Sequence, residues 1–408
     1  MTIFKFLFFS VLKIITFSNK LKVLQTILVK GPILLKVIGE CEILGVKFKD
    51  TVILYNNNKY IPIEKDQNAR ITVKNGSKWF DIEYATGDQS KIGTSIWNNI
   101  IDSIVKTNRK KIIIIGPSDT GKSTLTLFIA NKLISMGFQP LIIDSDIGQG
   151  ELAPPTCIGA KILIKQKIDL SKGQPNRINF IGNIQPIGYE SRIINCIKRI
   201  YKKLNKNNNI TIINTDGYIL NNKRNYKIDL IEKINPDCII CMGEDSHNTD
   251  FFHTIKIKFK KKPNIQILDG QSPNRQIQKS HFERREKRLN NYFTLFKKFT
   301  KEISITKEKI VAIYYKNNFF LLHKASYISR YNKIETKKIS LDAILNDKTF
   351  IRDRFVGLSS KEDYEKILGF GIIKDYNNNF FRIQTSIDKF DYIYLSDIKL
   401  YLDKNTMP

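Results

Sequence analysis

The 408-residue chain is poor in the residues that build metal sites and disulfide frameworks. Its four histidines, His247, His253, His281 and His323, show no pairing at metal-ligating spacing. Its five cysteines, Cys41, Cys157, Cys196, Cys238 and Cys241, are dispersed and odd in number, which argues against a disulfide scaffold and for a reducing compartment, cytoplasmic or, in a eukaryote, nuclear. Cys238 and Cys241 form a C-x-x-C, but no second pair completes a zinc site, so DCIICMG reads as a buried strand carrying two small apolar residues. Acidic residues are also scarce, with 39 Asp+Glu against 67 Lys+Arg and a net charge of +28. That balance favours a polyanion such as nucleic acid as partner. A Lys/Asn/Ile-rich coding bias, visible in the asparagine tracts at 207–209 and 377–379, is the competing source of the lysines. No long uninterrupted apolar run is present. The N-terminal MTIFKFLFFSVLKIITF is broken by Lys5 and Lys13 and followed by no small-residue cleavage site. It reads as a strand or packed terminal segment rather than a membrane span, with a signal or membrane role as the competing reading.

What the chain does have is a change of pattern along its length. Short β-branched runs separated by turn signals fill the stretch from Leu21 to about Tyr84, which predicts an all-β sandwich or barrel module over residues 1–94. At about Ser95 apolar residues take up helical spacing, and strands then alternate with helices through residues 95–302. Continuous apolar strands in such an alternation predict a mostly parallel sheet with helices on both faces, and reactive residues at the strands' C-terminal ends. After the basic helical run HFERREKRLNNYFTLFKKF the chain returns to strands and turns, which predicts a small β-rich domain over residues 303–408. The expected fold class is multidomain α/β.

At the head of the central part, KIIIIGPSDTGKST matches the phosphate-binding pattern G-x-x-x-x-G-K-[ST], with Gly116 and Gly121 as the fixed glycines. A buried strand delivers the chain to a loop, Gly116 to Gly121 with Ser118, Asp119 and Thr120 inside it, whose backbone N–H groups converge on phosphate oxygens. The helix that follows adds its N-terminal dipole. Lys122 is then placed for the β- and γ-phosphates and Ser123 for Mg²⁺, with Thr124 beside it, a cradle that suits an ATPase, a GTPase or a kinase. The next predicted strand, LIID, ends in Asp144-Ser145-Asp146-Ile147-Gly148-Gln149-Gly150, which puts two carboxylates on one side of an extended segment. A P-loop enzyme keeps its metal-holding acid, and a base for an attacking hydroxyl, at that place.

The P-loop GPSDTGKST, the DSDIGQGELAPP segment, the TDGY element at Thr215 to Tyr218 and the basic run before Tyr292-Phe293 together resemble the Clp1/Grc3 family of polynucleotide 5′-hydroxyl kinases, the archaeal Clp1-type members above all. The resemblance implies transfer of the ATP γ-phosphate to the 5′-hydroxyl of RNA, often of DNA too, in RNA processing with protein partners and no membrane. It implies that Lys122, Ser123 and Thr124 serve phosphates and Mg²⁺, that Asp146 activates the 5′-hydroxyl, that Asp144 supports the metal and that Gln149 completes the acid motif. The family's Thr-x-Gly-Trp clasp corresponds to Thr215, Gly217 and Tyr218, with tyrosine in place of the stacking tryptophan. A tyrosine face still stacks on a base, though a core tyrosine at a strand end is the competing reading. Of Arg284, Arg285 and Arg288, the spacing from Tyr292-Phe293 selects Arg285 and Arg288 as lid arginines, against a surface helix on which Glu283 and Glu286 pair with them. Lys256, Lys258 and Lys260 to Lys262 extend a nucleic-acid track or line a solvated strand edge. Two other functions fit the same residues: an ATP-loaded scaffold with little turnover, and an NTPase or kinase for a small hydroxylated substrate.

Overall fold

The turn-separated apolar runs of the first part fold as six strands: β1 (Gln25–Lys30), β2 (Ile33–Ile43), β3 (Val46–Tyr55), β4 (Tyr60–Lys65), β5 (Arg70–Lys74) and β6 (Ile82–Tyr84). They pair antiparallel in the order β3-β2-β4-β1-β6, with β5 also on β2. The computed structural model describes residues 25–57, 59–66, 68–74, 82–84, 94–206, 209–219, 225–244, 249–271, 279–306, 310–315, 318–323, 326–328, 351–377 and 380–400; the apolar segment at 1–17 lies outside them.

The central part begins with α1 (Asn98–Lys106) and runs through β7 (Lys111–Ile115), α2 (Lys122–Ser135), β8 (Leu141–Ser145), β9 (Cys157–Ile162), β10 (Arg177–Phe180), α3 (Glu190–Leu204), β11 (Thr211–Thr215), α4 (Asn225–Ile234), β12 (Cys238–Met242), α5 (Thr249–Lys260), β13 (Gln266–Gly270) and α6 (His281–Phe296). Its sheet has the order β10-β9-β8-β11-β7-β12-β13. The five strands from β8 to β13 are parallel, as a βαβ alternation requires. β9 and β10 add an antiparallel hairpin at one edge. The strand at β9 follows the Pro-rich GELAPPT turn and has no preceding helix, so the alternation did not reveal it.

The strands of this sheet are apolar on both faces, and the faces are divided residue by residue. Ile113, Ile115, Ile143, Ile213 and Ile239 join one core; Ile112, Ile114, Ile142, Ile212 and Ile240 join the other. The second core contains α1, α2 and the inner residues of the N-terminal sheet, including Val29, Leu35, Ile43 and Ile63. Asn131 on α2, fully buried, locks that contact by donating to the carbonyls of Leu44 and Lys167 at 2.7 Å each and accepting from Lys167 N–H at 2.9 Å. The first core contains α3, α4, α5, part of α6 and residues of the C-terminal sheet.

That sheet comprises β14 (Lys301–Thr306), β15 (Ile310–Tyr315), β16 (Asn318–His323), β17 (Ser326–Ile328), β18 (Arg354–Ser359), β19 (Ile367–Asn377), β20 (Phe380–Thr385) and β21 (Tyr392–Lys399), in the order β14-β20-β19-β18-β21-β15-β16-β17. Phe180, Tyr292, Phe355, Phe370 and Tyr394 interleave at the junction, and the buried Arg177 grips Asp363 with two N–H···O bonds of 2.6 and 2.9 Å. The architecture is thus a P-loop α/β core flanked by an all-β N-terminal module and a small β-rich C-terminal one. Among the described residues no helix is long and apolar enough to cross a membrane.

Candidate active site

The donor loop leaves β7 at a point where β12 presses on it. A Cβ at Gly116 would lie 2.2 Å from the Met242 carbonyl oxygen, so only glycine fits. Asp119 takes a positive φ of 62°, and Thr120 Oγ1 donates to the Pro117 carbonyl at 3.0 Å, which curls the loop ahead of α2. Lys122, the first residue of α2, is buried and folds back so that Nζ donates to the same carbonyl at 2.5 Å. Burial lowers its pKa to about 8, with Asp146 opposing and Lys227 adding to the fall. Thr124 is half-buried in the first turn and Ser118 is exposed on the loop.

The acids sit one strand over. Asp144, at the end of β8, is buried; its carboxylate accepts from Glu151 N–H at 2.6 Å, Leu152 N–H at 3.3 Å and Asn214 Nδ2 at 2.9 Å. Burial raises its pKa, against the pull of those bonds. The Asn214 amide also donates to Ser123 Oγ at 3.2 Å, so Ser123, Asn214 and Asp144 form one hydrogen-bonded row across β11. Asn214 Oδ1 is a buried acceptor without a hydrogen-bond partner. Asp146 is half-buried and turned back on its own loop, accepting from Gly148 N–H at 3.1 Å and Gln149 N–H at 2.9 Å. No cluster of three or more His, Cys, Asp or Glu residues poised for a metal occurs among the described residues. An all-protein cage is not what a P-loop needs, since magnesium there is shared with phosphate and water.

Thr215, Gly217 and Tyr218 leave β11 beside the donor loop. Thr215 is buried, and its hydroxyl is spent on the Ile114 carbonyl at 2.8 Å. Gly217 lies flush against the P-loop: a Cβ there would come within 2.2 Å of Ser118 Oγ and 2.5 Å of Ser118 N. Tyr218 is half-buried, with its ring against the first core.

The basic run forms α6, started by a reciprocal capping box between Ser280 and Glu283. Its rotation brings Arg284 and Lys287, rather than Arg285, to the site. Arg284 Nη2 meets Asp119 Oδ2 of the P-loop at 2.5 Å, and its Nε is buried without a hydrogen-bond partner. Lys287 Nζ donates to the Gln149 carbonyl at 2.8 Å. Burial, with Lys59 and Lys279 nearby, drops its pKa to about 7 against the pull of Glu151 and Asp146. Arg288 is half-buried and its pKa is lowered by burial, while Arg285 is exposed. Spacing along a helix gives the interval between arginines but not which face the packing turns inward; Tyr292, buried against Phe355 at 5.0 Å, sets that rotation.

The lysines at 256–262 do not line the strand edge considered for them, since the run through Lys260 is helical. Alternating Ile and Lys imitate a strand, yet Phe251, Phe252, Ile255 and Phe259 form one buried helical face, so the run through Lys260 is α5. Lys256 pairs with Glu244 at 2.7 Å and Asp269 at 3.4 Å, and Lys258 with Glu232 at 2.8 Å. Cys238 and Cys241 are free and buried on β12, as the strand reading of DCIICMG requires.

Residues 116–297 match the family described as mRNA cleavage and polyadenylation factor CLP1 P-loop. The P-loop domain is of the Clp1 type. Related sequences agree with it. A polyribonucleotide 5′-hydroxyl-kinase of Pyrococcus horikoshii is 32% identical over 152 residues, 36% of this chain and 42% of its own length. One from Methanocaldococcus jannaschii is 34% identical over 142 residues, 34% of this chain and 39% of its own length. The chain therefore spans about two fifths of the length of these curated relatives. Beyond the Clp1-type domain the likeness is one of fold: a solved wild-type Clp1p in complex with Pcf11p superposes with a TM-score of 0.62 at 15% identity, covering 95% of each chain.

Proposed function

We propose that the chain is an ATP- and Mg²⁺-dependent kinase that transfers the γ-phosphate of ATP to the 5′-hydroxyl of RNA, with DNA as a further acceptor. The observation that carries this reading is the convergence, at the C-terminal ends of three adjacent parallel strands, of the P-loop after β7, the acid pair at the end of β8 and the Tyr218 loop after β11. The kinase names of the relatives support it. The functional division proposed places donor and acceptor sites in residues 95–302, with 1–94 and 303–408 as flanking β modules and RNA-processing proteins as partners.

Gly116 to Gly121 would cradle the triphosphate on backbone N–H groups, with Ser118, Asp119 and Thr120 in the wall, and Lys122 would turn from the Pro117 carbonyl to the β- and γ-phosphates. Ser123, Asp144 and the unspent Asn214 Oδ1 supply the oxygen chemistry a hard divalent cation or its water takes; Mg²⁺ would neutralise phosphate charge there. Thr124 would add its hydroxyl to the phosphate end. Asp146, half-buried, takes the Gly148 and Gln149 N–H bonds on Oδ1 and would offer Oδ2 to the acceptor proton. The 5′-oxygen would attack the γ-phosphorus in line as the bond to the β–γ bridging oxygen breaks, its proton passing to Asp146. Arg284 and Arg288 would meet the charge spread over the transferring oxygens, and Gln149, Gly217 and Tyr218 would grip the acceptor.

Incubation with γ-labelled ATP and matched 5′-OH RNA and DNA oligonucleotides tests the proposal, with mononucleosides as competitors. Label on the oligonucleotide, lost in Lys122→Ala, supports it. Tight ATP retention without transfer points to a nucleotide-loaded scaffold, and preference for a free nucleoside to a small-molecule kinase.

A further inference from the structure

Lys227 lies in the first turn of α4, where a lysine is ordinarily solvated. The structure buries it to 2% exposure, a short distance behind the Tyr218 loop. A desolvated ammonium is costly unless it is paired and hydrogen-bonded, and Lys227 is both. Its Nζ lies 3.1 Å from Asp216 Oδ1 and donates to the Asp216 main-chain carbonyl at 3.1 Å. Asp216 is itself buried, and its carboxylate is fully engaged: Oδ1 also accepts from Tyr218 N–H at 2.9 Å, and Oδ2 accepts from Tyr226 O–H at 3.0 Å. One ammonium thus holds both the side chain and the backbone of the residue between Thr215 and Gly217.

Those two neighbours are the points at which the loop touches the donor site. Thr215 is tied to the Ile114 carbonyl, two residues before the P-loop, and Gly217 abuts Ser118 within it. The loop that presents Tyr218 is held between the P-loop on one side and Lys227 with Tyr226 on the other. A buried network of this kind has two discrete states, satisfied or broken, which suits a part that must hold a fixed distance.

We propose that Lys227 is a positioning residue for the phosphoryl acceptor: through Asp216 it fixes the Tyr218 loop against Ser118, so that the acceptor end and the γ-phosphate are held in register. This rests on the kinase reading above and adds to it the device that joins its two halves. Lys227 touches neither substrate; it acts through Asp216.

The test compares the full chain with Lys227→Met, Lys227→Arg, Asp216→Asn and the Lys227→Met/Asp216→Asn double variant. Equilibrium binding of a fluorescent 5′-OH oligonucleotide and of an ATP analogue is measured beside thermal stability and phosphoryl transfer. Lys227→Met is expected to weaken oligonucleotide binding about tenfold, with ATP affinity within about twofold of the unmodified chain. Lys227→Arg, which keeps the charge, recovers part of the loss. The double variant is neutral again, so its thermal stability rises above that of Lys227→Met while oligonucleotide affinity stays low. If oligonucleotide affinity instead returns together with stability, or is unchanged in a folded Lys227→Met, Lys227 is a structural residue only and the inference is overturned. Absence of transfer by the unmodified chain while it binds oligonucleotide overturns the kinase reading and leaves the positioning role to be judged on binding. An unmodified chain that binds no oligonucleotide overturns both.

Discussion

Arg284 of the basic helix and Asp119 of the P-loop are joined by a 2.5 Å ion pair, which places the guanidinium one side chain away from the loop proposed to cradle phosphate. Arg284→Ala is therefore expected to lower kcat by about 10²-fold, the scale of removing one preorganised donor from a charged transition state. Arg285→Ala, on the exposed side of the same helix, should stay within about twofold of the unmodified rate. Single-turnover transfer by the two variants decides between them; equal losses would return the role to the pair chosen by spacing.

Asp144 and Asp146 differ in what already holds them. Four donors, the N–H groups of Asp146, Glu151 and Leu152 and the Asn214 amide, fix the buried Asp144, whereas Asp146 is half-buried on a loop. Asp146→Asn should remove transfer by about 10²-fold or more while ATP still binds, as loss of a general base does. Asp144→Asn should instead raise the Mg²⁺ concentration needed for half-maximal rate. A magnesium titration of both variants separates a base from a metal-shell acid.

Tyr218→Ala is expected to raise the oligonucleotide KM by about tenfold or more, in line with ~1–3 kcal/mol per stacked base, with the ATP KM little changed. Tyr218→Trp should tighten oligonucleotide binding. Because the ring also packs against the first core, thermal melts of both variants are needed beside the kinetics; equal oligonucleotide KM values in all three proteins would leave Tyr218 a core residue.

Lys287 makes stability depend on pH in a defined direction. In the unfolded chain its amine keeps the proton up to the ordinary 10.5, while in the fold the proton leaves at about 7. Between those values the unfolded state binds more protons, so Lys287 contributes stability that grows as pH rises through that window. The melting temperature of the unmodified chain minus that of Lys287→Met should therefore increase from pH 7 to pH 9. A difference that is flat or falls with pH would show that the ammonium is solvated rather than desolvated.

Much of this site could be read from the chain, and the parts that could not have physical reasons. The P-loop and the acid pair are contiguous motifs whose chemistry demands fixed residue types at fixed spacing, so they were visible at once. The strands of the core were visible because β-branched runs buried on both faces leave no polar interruptions. α5 was hidden because Ile-Lys-Ile-Lys alternates with the period of a strand while its phenylalanines carry the helical face. Arg284 was passed over because helix rotation is decided by Tyr292 against Phe355, residues far apart in sequence. Lys227 was hidden because burial of a lysine depends on its partner, and Asp216 lies across a loop from it.

The division of β7 residue by residue between two cores bears on how the chain can be cut. Ile112 and Ile114 need the N-terminal sheet and α2 over them; Ile113 and Ile115 need the helices and the C-terminal sheet on the other side. A fragment holding residues 95–302 alone would expose parts of both cores as apolar patches far larger than a soluble monomer tolerates. Expressed by itself it should self-associate more strongly than the intact chain does, which light scattering of the two at equal concentration checks. The flanking sheets would then act as a built-in solubilising coat for the catalytic core.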